Sequence, residues 1–339
     1  MADTYAMSGN TPNYSGLMFN KGNTKTPFST MIGSRRRNTN HTEFVTGQEF
    51  ETATGSQPAI SEAASLTAPD SNVVTREQKT NVTQIFQESV GVSYAKESNM
   101  GTMAGINVAG QQPNPISELD FQVAAKMAKI GQDIEYTFIN GLYQKSTGDT
   151  VANKTRGLLP AITSNVIVAD EKPLSFLLVC ELIKLICESN GSSDNLVLGL
   201  DSTSRMQLNA DAAANGLTIV GGARNINGIS IDTVLTPLGE IGIRSLKYLP
   251  AGTVTMFDPG IMSPVEQPTP DKGNFFLEEL AKTGAGVKYQ IFGQIGLDHG
   301  PEWYAGKITG LSTAMPTQDD MARRIYSVNA VAVAQEAGE

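Results

Sequence analysis

The chain has 339 residues, of which 40% are hydrophobic and 17% are charged, whereas soluble domains are typically about 25% charged. It carries 25 Lys and Arg against 34 Asp and Glu, a formal net charge of −9, which argues against a protein that grips nucleic acid by counterion release. A surface poor in charge suits a chain that makes extensive protein–protein contacts, although a polar, uncharged soluble protein fits the composition equally well.

Residues 1–40 predict an N-terminal arm. Gly, Asn, Thr and Ser are spread through them without a sustained period, so the segment is not expected to fold alone. Its aromatic side chains, among them Tyr14, Phe19 and Phe28, are too apolar for an inert linker. An arm that docks on another surface fits both observations.

A run of three arginines, Arg35, Arg36 and Arg37, lies near the end of this arm and is the strongest basic feature of the chain. Two interpretations remain open. The run either meets nucleic acid or the acidic patch of a neighbour, or it is a solvated basic stretch.

Residues 43–51 and 73–93 have the composition of strands, and the stretch between them is rich in small and polar residues. The pattern predicts an extended β-hairpin loop over 41–80 whose tip has no core of its own. A loop of this length inside a compact domain is uncommon and is usually functional.

The clearest helix is predicted over 115–144, where Asn114 offers an N-cap and Pro115 suits the first turn. Apolar residues recur along it at spacings of three and four, as on the buried face of a helix. The predicted core positions of this spine helix are Leu119, Val123, Met127, Ile130 and Ile134.

The remainder alternates helices and strands, which predicts an α+β fold. The last part, 287–311, predicts two strands joined by a turn at 298–301. Further helices are expected over 173–188 and 201–214, and strands over 195–200, 228–236, 240–250 and 253–258.

Enzyme chemistry needs a constellation of residues, and the sequence offers none that fits. Only His41 and His299 are available as imidazole bases, and we expect both to be solvated loop or turn residues. Cys180 and Cys187 are seven residues apart with no paired histidines, which excludes a Cys/His metal site. The sequence therefore predicts no catalytic residue, no metal and no cofactor.

A membrane partner is not expected either. The most apolar stretch, 174–186, contains Glu181 and Lys184 and is far shorter than the roughly 20 residues of a spanning helix. Residues 1–22 are polar, with neither a basic start nor an apolar run, so no secretory signal is expected.

Two blocks of sequence carry a resemblance to a known family. The first comprises REQKTNVTQIFQESVGVSYAKESN at 76–99 and ISELDFQVAAKMAKIGQDIEYTFINGL at 116–142. The second comprises SLKYLPAGTVTMFDPGIMSPVEQPTP at 245–270 and the stretch from FLEELAKTGAG to KITGL at 276–311. Their order resembles that of the Hong Kong 97-like major capsid proteins of tailed bacteriophages, in the branch around the podophage SU-ten.

The resemblance implies a division of the chain into parts of that fold. The implied parts are an N-terminal arm at 1–40 lying across neighbouring subunits, an extended loop at 41–80 reaching over the adjacent subunit, a peripheral domain at 81–156 with the spine helix at 115–144, an axial αβ domain at 157–286, and the peripheral return strands with the C-terminal tail at 287–339. The implied inter-subunit contacts of the arm and the loop are Tyr14, Phe19, Phe28, Arg35, Arg36, Arg37, Phe50, Ile60 and Arg76.

The function implied is structural. Copies of such a chain self-assemble into the hexamers and pentamers of an icosahedral virion head, assembled in the cytoplasm of the host bacterium. The implied partners are other copies, a portal protein, and double-stranded DNA held non-specifically on the inner face; scaffold and cement proteins remain open.

One departure from the type member of the fold concerns cross-linking, because that shell is locked by isopeptide bonds from a lysine in its extended loop. Here no lysine lies between Glu49 and Arg76, and Lys79 is at the base of the loop. The sequence therefore predicts a non-covalent shell.

Three other functions stay open on the sequence alone. An encapsulin, a cellular shell that loads enzyme cargo, would share the loop and the missing chemistry. A secreted fibre or surface-layer protein and an enzyme with an unfamiliar αβ domain are the remaining candidates.

Overall fold

The computed structural model describes residues 25–50, 55–68, 73–95, 118–189, 191–214, 219–282 and 284–316. Within them the α-helices are α1 Pro27–Ile32, α2 Glu62–Ser65, α3 Glu118–Asn140, α4 Leu158–Ala161, α5 Phe176–Glu188 and α6 Ser202–Ala214, with 3-10 turns at Gly33–Arg35 and Glu302–Tyr304. The strands are β1 Arg37–Asn38, β2 Glu43–Phe50, β3 Arg76–Val82, β4 Gln84–Ser93, β5 Val166–Val168, β6 Val197–Leu200, β7 Ile219–Ile226, β8 Ile229–Thr236, β9 Gly239–Ser245, β10 Val254–Phe257, β11 Ser263–Glu266, β12 Phe276–Glu279, β13 Gly286–Asp298 and β14 Gly306–Thr309.

The spine helix, α3, ends at Asn140, four residues before the predicted end, and its predicted first residues, 115–117, lie outside the described residues. Close backbone packing explains the early stop. A Cβ atom on Gly141 would lie 2.5 Å from the carbonyl oxygen of Thr137 and 2.6 Å from that of Thr155. The chain therefore leaves the helix at this glycine, and Gln144 then pairs with Lys154 in an isolated bridge.

The predicted core face of α3 is buried unevenly. Ile130 is buried, whereas Val123 and Ile134 are partly buried and pack against the core, and Leu119 is half-buried. Met127 departs from the prediction, since 40% of it is exposed. Contacts with α1 and with the segment before α4 come from Glu135 in the second half of the helix and from Gly141 just after it, and Met127 precedes both.

The first sheet has five strands in the order β1-β11-β13-β12, with β4 also paired to β13. The long strand β13 holds it together, because β4 runs antiparallel to it from the Gly286–Ser93 pair to the Ile295–Gln84 pair. The spine helix lies against β4 of this sheet, where Lys126 and Lys129 both bond to Glu88. We call these five strands the peripheral sheet.

The second sheet has seven strands in the order β5-β14-β10-β6-β9-β8-β7. It is mixed, since β6 runs parallel to β9 and antiparallel to β10. Its central strand β6 is buried along its whole length, as the apolar run Val197–Leu200 predicts. Helices α5 and α6 contribute to a second apolar cluster that includes Leu182, Ile186 and Leu208. We call these seven strands the axial sheet.

The sheets divide the chain differently from the predicted boundaries. Strand β14 was assigned with 287–339 to the peripheral part but pairs with β10 and β5 in the axial sheet. Conversely, β11 and β12 fall in 157–286 but pair with β13. The two strands predicted on either side of the 298–301 turn are present as β13 and β14. They do not pair with each other, because they belong to different sheets; local composition marks a strand without marking its partner.

None of the helices in the described part of the chain is long and apolar enough to cross a membrane.

Candidate functional site: the docked arm and the extended ribbon

The described end of the arm, residues 25–38, docks inside its own subunit. Phe28, Met31 and Ile32 of α1 are at most 1% exposed. The ring of Phe28 packs edge-on against Phe257 of β10, with 5.0 Å between ring centroids and 72° between planes, a favoured geometry for aromatic pairs. Phe28 was predicted as an inter-subunit contact and is instead an anchor within the subunit.

Glu135 of the spine helix holds the beginning of α1. Its side chain is 1% exposed, and its two carboxylate oxygens accept the backbone N–H groups of Phe28, at 2.8 Å, and Ser29, at 2.7 Å. The hydroxyl of Ser29 donates to the same carboxylate. Burial raises the pKa of Glu135, and these hydrogen bonds oppose the rise. The carboxylate thus satisfies N–H groups that the first turn of a helix leaves without partners.

Asn227 holds the other end of α1. Its side-chain amide donates to the carbonyl oxygens of Thr30, at 3.2 Å, and Met31, at 2.5 Å. Asn227 and Gly228 form the turn between β7 and β8, with φ angles of 49° and 81°. Asn-Gly is the preferred pair for a two-residue hairpin turn with two positive φ angles, so the turn sequence itself brings the amide to the arm.

The arginine run follows α1, and two of its members form ion pairs within the subunit. Arg36 lies 3.4 Å from Glu266 and Arg37 lies 2.8 Å from Asp298, while Arg35 is exposed. Burial raises the pKa of Asp298, against the opposing effects of the Gly300 N–H group and Arg37. Arg37 also begins β1, which pairs in parallel with β11. Arg36 and Arg37 thus bond within the subunit, and their contact with a neighbour or DNA stays a prediction.

The extended loop begins and ends as a two-stranded ribbon of β2 and β3, with register from the Glu43–Val82 pair to the Phe50–Arg76 pair. The base of this ribbon is fixed by Asn81, which is fully buried. Its amide nitrogen donates to the carbonyl oxygens of Leu297, at 2.7 Å, and Arg156, at 3.1 Å. Its amide oxygen accepts the N–H groups of Arg156 and Val82. Every hydrogen-bonding position of the buried amide is thus used.

Charged pairs and one aromatic ring add to this base. Lys79 lies 3.0 Å from Glu49 and 3.7 Å from Glu302. Partial burial acts to lower the pKa of the Lys79 amine, but the effect of these carboxylates is larger, and the pKa is raised. The ring of Phe44 occupies the space over Gly296, where a Cβ atom would lie 2.7 Å from it. The ribbon therefore leaves the subunit in a fixed direction.

The outer part of the loop has a different character. Phe50 is 63% exposed and Ile60 is 71% exposed, and Arg76 is exposed as well. The one helix described there, α2, is a single turn capped by Ser61. Further exposed apolar side chains of this part are Leu66, Val73 and Val74. Tyr14 and Phe19, the other predicted contacts, lie outside the described residues.

Sequence reasoning missed the three polar residues that fix these elements, namely Glu135, Asn227 and Asn81. Glu135 carried a signal, because it lies between Ile134 and Phe138 on the apolar side of the predicted spine helix, where a carboxylate requires donors. The Asn227-Gly228 turn could also be recognised in the sequence, but its hydrogen-bond partners in α1, which are far away in sequence, could not. Nothing in the local sequence marks Asn81.

His299 is not the solvated turn residue that the sequence predicted. It is 4% exposed, its Nδ1 lies 2.7 Å from the carbonyl oxygen of Gly300, and its Nε2 has no hydrogen-bond partner among the described residues. Burial lowers its pKa to about 4, and the nearby Arg156 and Lys79 act in the same direction. His299 thus stays neutral and acts as a packing residue under the ribbon base.

In the described part of the chain, no group of three His, Cys, Asp or Glu side chains is placed to hold a metal ion. What the described residues do offer is a docked arm, a rigid ribbon base and an apolar ribbon tip.

Comparison with known proteins identifies this arrangement. Residues 2–312 match the family model described as SU10 major capsid protein. The chain belongs to this family. It is a bacteriophage major capsid protein with a Hong Kong 97-like fold. Its role is structural: its copies associate into shells, and it is located in the virion. The sequence matches none of the curated proteins with which it was compared.

Solved structures share the fold at low sequence identity. The capsid protein of Cyanophage A-1(L) is 10% identical, with a TM-score of 0.61, and the match covers 87% of this chain and 95% of that one. The capsid protein of Cyanophage P-SCSP1u is 11% identical, with a TM-score of 0.52 and coverages of 89% and 92%. The SrpI encapsulin of Synechococcus elongatus PCC 7942 is 9% identical, with a TM-score of 0.56 and coverages of 84% and 87%.

The arm anchor predicts a stability effect within the isolated subunit. Phe28→Ala removes a fully buried ring and should lower the free energy of unfolding by about 3–5 kcal/mol, measured by urea denaturation of dissociated subunits. Phe50→Ala removes an exposed ring and should change it by less than about 0.5 kcal/mol. Equal effects of the two substitutions would show that the arm does not dock in the subunit.

Buried His299 predicts a loss of stability in acid. Its pKa is about 4 in the folded state and about 6.5 when unfolded, so the unfolded chain binds the extra proton first. Stability should fall by about 3 kcal/mol as the pH drops from 6.5 to 4. His299→Asn, which replaces the imidazole with a polar group that does not titrate, should flatten this part of the urea-denaturation pH profile, while His41→Gln at an exposed site should not. An unchanged profile in His299→Asn would contradict the assignment.

Proposed function

We propose that this capsid protein forms the hexamers and pentamers of an icosahedral head that encloses double-stranded DNA. The observation that carries the proposal is the contrast within the extended ribbon. Its base is fixed by the fully bonded amide of Asn81, while its tip exposes Phe50 and Ile60. A rigid projection with an apolar end has its binding partner outside the subunit, and in a capsid protein that partner is the adjacent copy.

Assembly follows from what the ribbon tip lacks. A two-stranded ribbon without a core is marginally stable in water, so the tip gains stability only when a neighbour covers its apolar side chains. Each such contact is weak. A closed shell makes many of them at once, and this multivalency supplies the stability of the particle.

Different parts of the subunit then serve different parts of the shell. The peripheral sheet and α3 correspond to the peripheral domain, and the axial sheet supplies the domain that gathers around the five-fold and six-fold axes. The arm before residue 25 and the ribbon at 41–80 reach neighbouring subunits, with Tyr14, Phe19, Phe50, Ile60 and Arg76 as contacts.

Two further partners are proposed besides other copies of the chain, namely DNA and a portal protein. DNA is held non-specifically on the inner face, and the contact is weak because a chain with a net charge of −9 neutralises few phosphates. A portal protein completes the head, and the shell assembles in the cytoplasm of the bacterial host.

The shell is held without covalent links between subunits. The ribbon has no lysine between Glu49 and Arg76, and the amine of Lys79 at its base is engaged by Glu49 and Glu302. Mature particles boiled in denaturant should therefore give a single monomer band on a denaturing gel. A ladder of covalent oligomers would contradict the proposal.

The ribbon tip predicts a separation of assembly from stability. The double substitution Phe50→Ser and Ile60→Ser removes the two apolar side chains from an exposed site, so sedimentation should show unassembled subunits whose urea midpoint is unchanged. The conservative pair Phe50→Tyr and Ile60→Val keeps the apolar surface and should assemble. Full assembly of the serine variant would rule out the tip as a subunit contact.

Electron microscopy of purified particles, with analysis of their contents, tests the function itself. Closed icosahedral particles containing DNA are expected. Closed particles filled with an enzyme in place of DNA would favour the encapsulin function, and fibres or monomers would overturn both.

A further inference from the structure

The arm helix α1 lies between the two sheets of the subunit. Its side chains Phe28, Met31 and Ile32 belong to one apolar cluster that contains members of both sheets. From the peripheral sheet come Ile291, Ile295 and Leu297, and from the axial sheet come Val197, Ile231 and Phe257. The arm therefore fills space that neither sheet fills alone.

The polar bonds at the two ends of α1 go to different parts of the subunit. Glu135, which bonds the first turn, lies on the spine helix against the peripheral sheet. Asn227, which bonds the last turn, lies at the end of the β7–β8 hairpin of the axial sheet. A six-residue helix is about 9 Å long, so these bonds fix a distance between the two sheets.

The segment after α1 is bonded as well. Arg36 pairs with Glu266 of β11 and Arg37 pairs with Asp298 at the end of β13. Strand β1 adds backbone hydrogen bonds to β11. Residues 27–38 thus have five attachments, four to the peripheral sheet or the spine helix and one to the axial sheet, in addition to the apolar contacts.

We infer that residues 27–38 act as a strap that sets the angle between the peripheral and axial sheets, with Glu135 and Asn227 as the residues that position it. The chain crosses between the sheets at other points as well, but the strap differs from those crossings because its helix lies between the sheets with one end bonded to the spine helix and the other to the axial sheet. Rotation of one sheet against the other requires these bonds to break, because packed interfaces shift between discrete arrangements.

The consequence for a shell rests on the proposed function. The angle between the two parts of each subunit determines the angle between neighbouring subunits, and thereby the curvature and diameter of the particle. A subunit with a secured strap gives particles of one size, and a subunit with a released strap gives particles of mixed sizes.

The test uses two substitutions of matched shape in the full-length chain. Glu135→Gln replaces the carboxylate that accepts three donors, and Asn227→Asp replaces the amide donor with an acceptor that repels the carbonyl oxygens of Thr30 and Met31. Asp133→Asn is the control for the first, since it makes the same acid-to-amide change on a side chain of the same helix that is half exposed and pairs with Lys129.

Two measurements are made on each variant. Trypsin cleavage after Arg35, Arg36 and Arg37, located by mass spectrometry of dissociated subunits, reports release of the strap. It should rise roughly tenfold in both variants, because a net loss of about 1.4 kcal/mol in hydrogen bonding changes the population of the released strap tenfold, and it should stay at the wild-type rate in Asp133→Asn. Particle diameters, measured by electron microscopy, should broaden in the same two variants.

The outcomes are distinguishable. Faster cleavage with particle diameters as uniform as those of the wild type would overturn the inference. Unchanged cleavage in Asn227→Asp would overturn it as well. This variant changes an exposed turn residue, so it should still fold if Glu135→Gln does not. Failure of the wild-type chain to form closed particles would instead overturn the proposed function.

Discussion

The carboxyl group of Glu135 is buried between the spine helix and the arm, and its hydrogen-bond donors come from the arm alone among the described contacts. A buried carboxylate is costly unless it is hydrogen-bonded, and a helix of six residues is not stable by itself in water. Each therefore depends on the other. Docking of α1 satisfies the carboxylate, and the carboxylate organises the turn that carries Phe28 into the core.

The base and the tip of the extended ribbon differ in burial and bonding. At the base, Asn81 is buried with all its hydrogen-bonding groups paired, and Phe44 is packed over Gly296. At the tip, Phe50 and Ile60 are exposed and nothing in the described part of the subunit covers them. A shell protein needs both properties. A fixed base orients the contact, and the apolar side chains of an uncovered tip contribute the free energy of their burial only when subunits assemble.

Local pattern predicted the elements well and their partners poorly. The strands β8 and β10 lie where alternation and turn residues placed them, whereas β9 ends at Ser245, five residues before its predicted end. The spine helix lies within the range that its apolar spacing predicted and ends four residues early. The family resemblance, carried by residues 76–142 and 245–311, is confirmed. Docking of Phe28, burial of His299 and pairing of β14 in the axial sheet depend on residues far away in sequence, which composition and spacing do not report.

We propose that each subunit keeps its own arm helix and offers its ribbon to a neighbour. A cryo-electron microscopy reconstruction of the assembled shell at side-chain resolution tests it directly. The reconstruction should show α1 against Glu135 of the same chain, with Phe50 and residues 55–68 of the ribbon tip lying on the adjacent subunit. An arm helix seated against Glu135 of the adjacent subunit, or a ribbon tip folded back on its own subunit, would contradict it.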